Sequence, residues 1–502
     1  MNERVAQLKN KRRGKNPPRA QARTAANQNW YLIGLLALFG LSRLIYRLLG
    51  IKFDASSLNW FWQFVDPQLL KSDFARSIIY LHSQPPAMNL FLGIILYLFP
   101  NWETNGFWFC YLGLGIILTV SLYLLLRNLN ILPPIAALLT AVFIISPTCI
   151  LYENWLFYTY PVCVALIFSA LCWVKFLRKP RVIYTLLLFF SLGFVVLMWS
   201  LFHLVWFLLL AVALLVFRHQ EWKRIIPGLL LPFLVVTGWY VKNWLLFNQF
   251  TASTWFGMNF SKMTNSMLWY EERKELYNNG TISAISLIPP FSELEKYEPI
   301  LEPKPVTGIL VLDQRKKASG VPNFNNIAYI DIARAYGRDA LKILFIKPLA
   351  YLRGLAEAIG IFFIPADNYY FLRLNRKKLK TLARIFNAVL LGQFNDRLNT
   401  SLRRSNPVTF YLQSFTNTGF ILIAAYILAF IYGILLLRRR HPLSQSYFFL
   451  WLTLLYAFLV GNFTEVGENN RFRFVLDPLL FPFIGLFIQS LLPFPSKRTR
   501  GE

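Results

Sequence analysis

Between Phe53 and Pro86 the chain gathers Asp54, Asp66, Asp73, His82 and Gln84-Pro85-Pro86 in one polar, aromatic stretch, directly after its first long apolar run. A carboxylate there can serve as general base on a hydroxyl or help hold a divalent cation, and an imidazole can carry a proton. Each has a plainer reading. Asp54 also fits a helix N-cap before Ser56-Ser57-Leu58, and a lone His82 before Pro85-Pro86 also fits a hydrogen-bonded surface residue. The proline pair suits the first turn of a helix running on to Pro100. Glu153 is a second candidate carboxylate, or a solvated turn residue between apolar runs.

Near the other end, Glu465 and Glu468 precede Arg471 and Arg473 in the run Glu468-Asn469-Asn470-Arg471-Phe472-Arg473-Phe474. Arginine's planar fork matches phosphate oxygens, so Arg471 and Arg473 can seat a lipid phosphate; they can equally pair with the glutamates and anchor the helix. Lys242 is a further candidate cation for that phosphate. Gln84, Trp255 and Asn259 are the candidate substrate contacts, Trp255 because an indole can stack on a sugar as well as sit in an interfacial belt.

These groups are held by apolar elements. Of 502 residues, 56% are hydrophobic, 17% aromatic and only 15% charged, and the apolar residues fall in runs of about 20, enough to span a bilayer as helix. The fold class expected is an all-α polytopic membrane protein. The runs are 29–49, 106–126, 132–151, 154–176, 182–217 (long enough for a hairpin of two), 225–247, 419–437, 447–463 and 474–492, giving about ten crossings. Barrel-type alternation is absent from them.

The net charge of +28 suggests nucleic acid in a soluble chain. Here the basic residues instead follow the positive-inside rule: Arg4 to Arg23, Lys175 to Arg181, Arg218 to Arg224, Arg438 to Arg440 and Lys497 to Arg500 belong to cytoplasmic loops and ends. No nucleic-acid partner is expected. With both termini and Lys175 to Arg181 cytoplasmic, Asp54 is external, and an even number of crossings must separate it from Glu153. The short run 87–100 is therefore expected to be re-entrant or interfacial. That parity puts 51–105, Tyr152 to Asn154, the turn 199–203, 248–417 and 464–473 on one external face.

The expected organisation is a basic tail (1–28), an N-terminal membrane module (29–247) whose first external loop is 51–105, an external or interfacial segment (248–417), and C-terminal membrane helices with a basic tail (418–502). The segment 248–417 is too long for a plain loop. Its part 327–344 has helical spacing, 281–326 reads as irregular, and 343–365 reads as interfacial or packed on other helices. Cys110, Cys149, Cys163 and Cys172 sit in apolar runs at no metal or redox spacing. Walker, dinucleotide-binding and zinc-protease motifs are missing from the sequence.

Taken together, Asp54 early in the first external loop, His82-Ser83-Gln84-Pro85-Pro86, Ser146-Pro147 leading to Glu153, and Asn-Arg-Phe-Arg-Phe before the last run resemble the GT-C superfamily of integral-membrane glycosyltransferases. Its branches include the protein O-mannosyltransferases and the aminoarabinose transferases of lipid A. The resemblance implies a GT-C-like helix bundle of about ten to eleven spans that moves a sugar from a polyprenyl-phosphate donor to a glycan, lipid or protein acceptor on the external face of the plasma membrane. It carries the catalytic carboxylate to Asp54 and a second acidic residue to Glu153, and His82 stands at the start of the proline motif. The family's common form has His directly before Pro-Pro, and it often has a paired acidic motif in the first loop; neither is matched, so a divalent cation stays an open question. The reading that follows is inverting transfer with Asp54 as base. The alternative is a non-enzymatic transporter or flippase of lipid-linked glycans, which would place ionisable or broken-helix features near the bilayer midplane.

Overall fold

In lipid the backbone finds no outside partners, so apolar runs must close into helices. The computed structural model describes residues 19–394, 417–438 and 443–492. Within them the regular elements are helices, with single bridges at Asp54–Trp155 and Lys316–Pro322. In chain order the main helices are α1 (Arg19–Leu48), α2 (Ala87–Leu98), α3 (Glu103–Asn128), α4 (Pro133–Ile144), α5 (Pro147–Glu153), α6 (Thr159–Arg178), α7 (Val182–Met198), α8 (Leu204–Phe217) and α9 (Trp222–Phe247). There follow α10 (Phe256–Met263), α11 (Ala328–Ile346), α12 (Pro348–Phe362), α13 (Arg373–Phe386), α14 (Phe420–Arg438), α15 (Ser444–Thr464), α16 (Asn469–Phe474) and α17 (Asp477–Leu491).

Six of the described helices are long and apolar enough to cross a membrane, seven if α4 and α5 form one bent span. The protein is a multi-pass membrane protein. The expected number is reached by adding the shorter apolar helices α7, α8 and α17. The run 182–217 does divide into a hairpin, broken at Trp199–His203. Helix α2, 12 residues long, starts directly after Pro86 as the proline pair predicts. The basic segments before Arg19 and after Leu492, and Arg439 and Arg440, lie outside the described residues.

Helix α6 is the axis of the bundle, buried along nearly its whole length, while α1 and α9 turn most of their surface outward. Between α4 and α5 the chain bends by 57°. Pro147 cannot donate to the preceding turn, and Ser146 Oγ accepts from Cys149 N at 3.1 Å to cap a new helix. The break orphans carbonyls, and α1 supplies their partners. Arg43 Nη1 donates to Ile144 O at 2.7 Å, and the Tyr46 hydroxyl donates to Ile145 O at 2.8 Å. The bend then aims Glu153 inward, where its carboxylate takes a forked pair from Arg43. The Tyr160 hydroxyl adds a bond at 2.9 Å. A Cβ at Gly115 would lie 3.0 Å from Glu153 Oε2 and 2.7 Å from the Phe39 ring, so glycine is what lets α3 approach here.

The first loop does not wander. Asp54 N donates to Asn154 O and Asp54 O accepts from Leu156 N, both at 2.9 Å, which brings the loop and the 154–156 turn to the same end of the bundle. From outside the loop, buried Lys317 donates to Phe61 O at 2.6 Å, and Ala318 N donates to Asp66 Oδ2, also at 2.6 Å. The segment 248–394 thus clasps the loop. Its α10 and α11 pack so closely that a Cβ on Gly257 would sit 1.8 Å from Ala333 O. The expected helix near 327–344 is α11, and the stretch 343–365, expected to be interfacial or packed on other helices, contains α12.

If α2 leaves the membrane on the side it entered, Thr104, exposed at the start of α3, reports the side of Asp54. We expect Thr104→Cys to be labelled by an impermeant thiol reagent from outside intact cells. Labelling from the cytoplasmic side alone would make α2 a crossing and void the parity.

Candidate active site

At the end of the bundle where the first loop meets 154–156, a cavity of about 360 Å3 opens between seven parts of the chain. The first loop contributes Trp62, Gln63 and Gln84, and the α7–α8 turn contributes Trp199 and Ser200. Tyr158, before α6, forms the floor with Arg471 of α16. Around α10 stand Trp255, Asn259 and Lys262, facing Phe291 and Tyr370. The α15–α16 turn closes the ring with Glu465, Gly467 and Glu468.

That last turn is held by one side chain. Asn469, fully buried, donates through Nδ2 to Gly461 O at 3.1 Å and to Glu465 O at 3.0 Å, and its Oδ1 accepts from Gly467 N at 3.0 Å. Gly467 has φ +120°, a conformation side-chain-bearing residues avoid. The turn is thereby tight enough to point Glu465 and Glu468 into the cavity together.

Both glutamates come with a cation. Lys262 Nζ donates to Glu465 Oε1 at 3.0 Å. Arg471 forks onto Glu468, its Nε donating to Oε2 at 3.1 Å, and its Nη1 donates to Thr159 Oγ1 at 3.2 Å. The guanidinium is caged by the rings of Phe157 (4.9 Å), Trp199 (5.0 Å), Phe472 (5.0 Å) and Tyr158 (5.2 Å). The other oxygen of Glu468 accepts from the Tyr369 hydroxyl at 2.9 Å and the Tyr370 hydroxyl at 3.3 Å. Burial alone would raise the Glu468 carboxyl, but Arg471, Lys262 and these bonds outweigh it and hold it below its ordinary range. Burial likewise opposes the charge on Arg471, and Glu468 more than restores it. Glu468 is therefore a fixed anion and a poor proton acceptor. Glu465 carries fewer bonds and stands at the cavity wall.

Of the residues singled out in the sequence, Arg471, Gln84, Trp255, Asn259, Glu465 and Glu468 line this cavity. Asp54, Glu153, Arg473, Lys242 and His82 do not. Asp54 Oδ1 accepts from Ser56 N at 3.0 Å and Ser56 Oγ at 2.6 Å, closing a local turn just ahead of the short helix Ser57–Trp60, whose N-cap position is Ser56 and not Asp54. Glu153 is no solvated turn residue; it is buried against Arg43. Arg473 is spent on Asp477 at 3.0 Å and on the carbonyls of Phe362 and Ile364, an anchor and not a phosphate seat. Lys242 Nζ donates to Leu81 O at 2.6 Å and lies 3.5 Å from the centre of the Trp239 ring.

His82 is fully buried, with Nε2 2.9 Å from Asn325 O and Nδ1 2.9 Å from Thr254 Oγ1. Next to a carbonyl Nε2 must be the donor, which makes Nδ1 the acceptor from Thr254. Burial pushes the imidazole down to about 3; the Asn325 carbonyl pulls the other way and Lys242 adds to the fall. His82 rivets the first loop to the segment 248–394. A group lowered from 6.5 to about 3 contributes stability above its unfolded value and loses it as pH falls through that window. We expect the melting temperature of the detergent-solubilised protein to drop between about pH 7 and about pH 5, less steeply in His82→Gln. Equal slopes for both proteins would show that His82 is not the buried neutral group described.

Among the described residues no three His, Cys, Asp or Glu side chains converge as a metal seat, and the carboxylates of the cavity are already matched by Lys262 and Arg471. The donor set does not fit a divalent cation. Lys262, Tyr370 and the aromatic wall were missed by sequence reasoning. The one signal for Lys262 was its position three residues after Asn259, one turn along the same helix.

The chain matches no protein-family model and no curated protein. Among solved structures it is similar to the oligosaccharyltransferase of Archaeoglobus fulgidus in complex with zinc and sulfate, at 11% identity and a TM-score of 0.35 over 90% of this chain and 49% of that one. The same enzyme tethered to an acceptor peptide gives 10% identity and a TM-score of 0.35 over the same shares. ArnT from Cupriavidus metallidurans in the apo state gives 13% identity and a TM-score of 0.29 over 90% of this chain and 78% of that one. The chain thus spans about half the length of the archaeal enzyme.

Proposed function

We propose that this protein is a membrane glycosyltransferase that takes a sugar from a polyprenyl-phosphate donor and delivers it to an acceptor hydroxyl in the cavity, on the external face of the plasma membrane, with both termini cytoplasmic. One observation carries the reading: at one end of an apolar bundle, an aromatic-walled cavity holds amides, two carboxylates and two cations within reach of one another. Indole and phenol faces suit the C–H face of a sugar, and Gln84, Asn259 and Ser200 suit its hydroxyls. A lipid tail can stay in the bilayer beside the helices, so no soluble nucleotide site is needed.

In this geometry the base is Glu465 and not Asp54, because Glu465 borders the cavity, Asp54 does not, and Glu468 is held as a fixed anion by Arg471. The acceptor oxygen attacks the anomeric carbon as its proton passes to Glu465; the bond from that carbon to the phosphate oxygen breaks, and the phosphate leaves with the electron pair, with inversion. Lys262 and Arg471 face the growing negative charge on the phosphate. Glu468 acts by fixing Arg471.

Incubating the purified protein with a polyprenyl-phosphate sugar and a mixture of lipid and peptide acceptors, and following both lipid and sugar by mass spectrometry, tests this. We expect free polyprenyl phosphate and a glycosylated acceptor in equal amounts. Donor carried across vesicle membranes with its sugar bond intact would make the protein a flippase and overturn the proposal.

A further inference from the structure

Among the described helices, α13 has the most lopsided surface. At about 3.6 residues per turn, Arg373, Lys377, Lys380 and Arg384 fall together on one exposed stripe, and no acidic residue occurs in the helix. Beside that stripe lies a second exposed one that is apolar, with Leu374 58%, Ile385 57% and Leu382 42% accessible. The third side, Leu379 and Ala383, is buried against the bundle. The apolar exposure continues past the helix in Val389 and Phe394, 67% and 81% accessible.

The helix is also fixed in depth. Lys378 Nζ donates to Gly50 O, just past the end of α1. Asn375 Nδ2 donates to Lys52 O at 2.7 Å, its Oδ1 accepts from Lys52 N at 3.3 Å, and Arg376 pairs with buried Asp367 at 3.6 Å. A helix held at the end of a spanning helix lies at the level where hydrocarbon gives way to headgroups. Its preceding turn carries Tyr370, a wall of the cavity. An apolar stripe on water would be costly; an apolar stripe beside a basic one, at that depth, suits acyl chains on one side and phosphates on the other.

We propose that α13 is an interfacial helix that binds anionic phospholipid headgroups in the leaflet at the cavity end, with Arg373, Lys377, Lys380 and Arg384 on the phosphates and Leu374, Leu382 and Ile385 among the acyl chains. This does not rest on the transfer reaction. It holds for any activity of the cavity, and it gives the cavity a bound ring of anionic lipid at its rim.

The test uses the full chain in nanodiscs of phosphatidylcholine alone or mixed with phosphatidylglycerol, read by amide hydrogen exchange over 373–386. We expect exchange there to slow several-fold when phosphatidylglycerol is present, with the difference shrinking as salt is raised. Combined Arg373→Gln, Lys377→Gln, Lys380→Gln and Arg384→Gln is expected to abolish the lipid dependence while leaving exchange in α6 unchanged, which shows the fold intact. Should that variant fail to fold, single Lys377→Gln, expected to shrink the difference, decides. Equal exchange in both nanodiscs overturns the proposal, as does a lipid dependence that survives these substitutions. Slowing that needs an added soluble protein would assign the face to a protein partner and also overturn it.

Discussion

Glu465→Gln is expected to lower sugar transfer by about two to four orders of magnitude, the usual contribution of a positioned base. Glutamine keeps the length of the side chain, and its carbonyl can still accept from Lys262, which now bonds Glu465 at 3.0 Å. What it loses is the capacity to take the acceptor's proton. Asp54→Asn makes the opposite case. Its amide oxygen can still accept from Ser56 N and Ser56 Oγ, so the local turn survives and transfer should stay near that of the parent. Asp54→Ala removes both bonds to Ser56 at about 1 kcal/mol of stability. Rates of purified variants, with melting temperatures beside them, separate the two sites. Near-parental transfer by Glu465→Gln together with collapse in Asp54→Asn would return the base to the first loop.

Glu153→Ala is expected to cost about 3–5 kcal/mol of stability, because it leaves the Arg43 guanidinium charged and unpaired inside the bundle. The two side chains are 11% and 4% exposed. Arg43→Ala should cost as much, since it strands Glu153 and also frees the carbonyl of Ile144 at the α4–α5 bend. Replacing both at once, Arg43→Met with Glu153→Leu, is expected to recover much of the loss, as apolar replacements of buried pairs commonly do. Thermal unfolding of the two single variants and the double one gives the coupling. Transfer per folded molecule should change little in any of them. A stable Glu153→Ala protein that has lost transfer would place Glu153 in the chemistry after all.

The amphiphilic order of the chain was legible throughout. Apolar runs of membrane length and proline at helix starts follow from the cost of leaving backbone or charge in hydrocarbon, and that cost acts on local sequence. The position of Gln84, Trp255 and Asn259 at the cavity was legible for the same reason: each lies in a segment between apolar runs. Which charges meet was not. Arg43 and Glu153 are 110 positions apart, and nothing local distinguishes a carboxylate that faces water from one drawn inward by a 57° bend. Arg471 and Arg473 stand two residues apart, and α16 points one into the cavity and the other into carbonyls of the α12 end. The sequence by itself determined an all-helical membrane bundle with its polar groups at the helix ends. The tertiary structure alone decided that Glu465 and Lys262 share a cavity with Arg471 while Asp54, His82 and Glu153 hold the loops together, because pairing of charges depends on distances of a few ångströms that only the packing of separate helices sets.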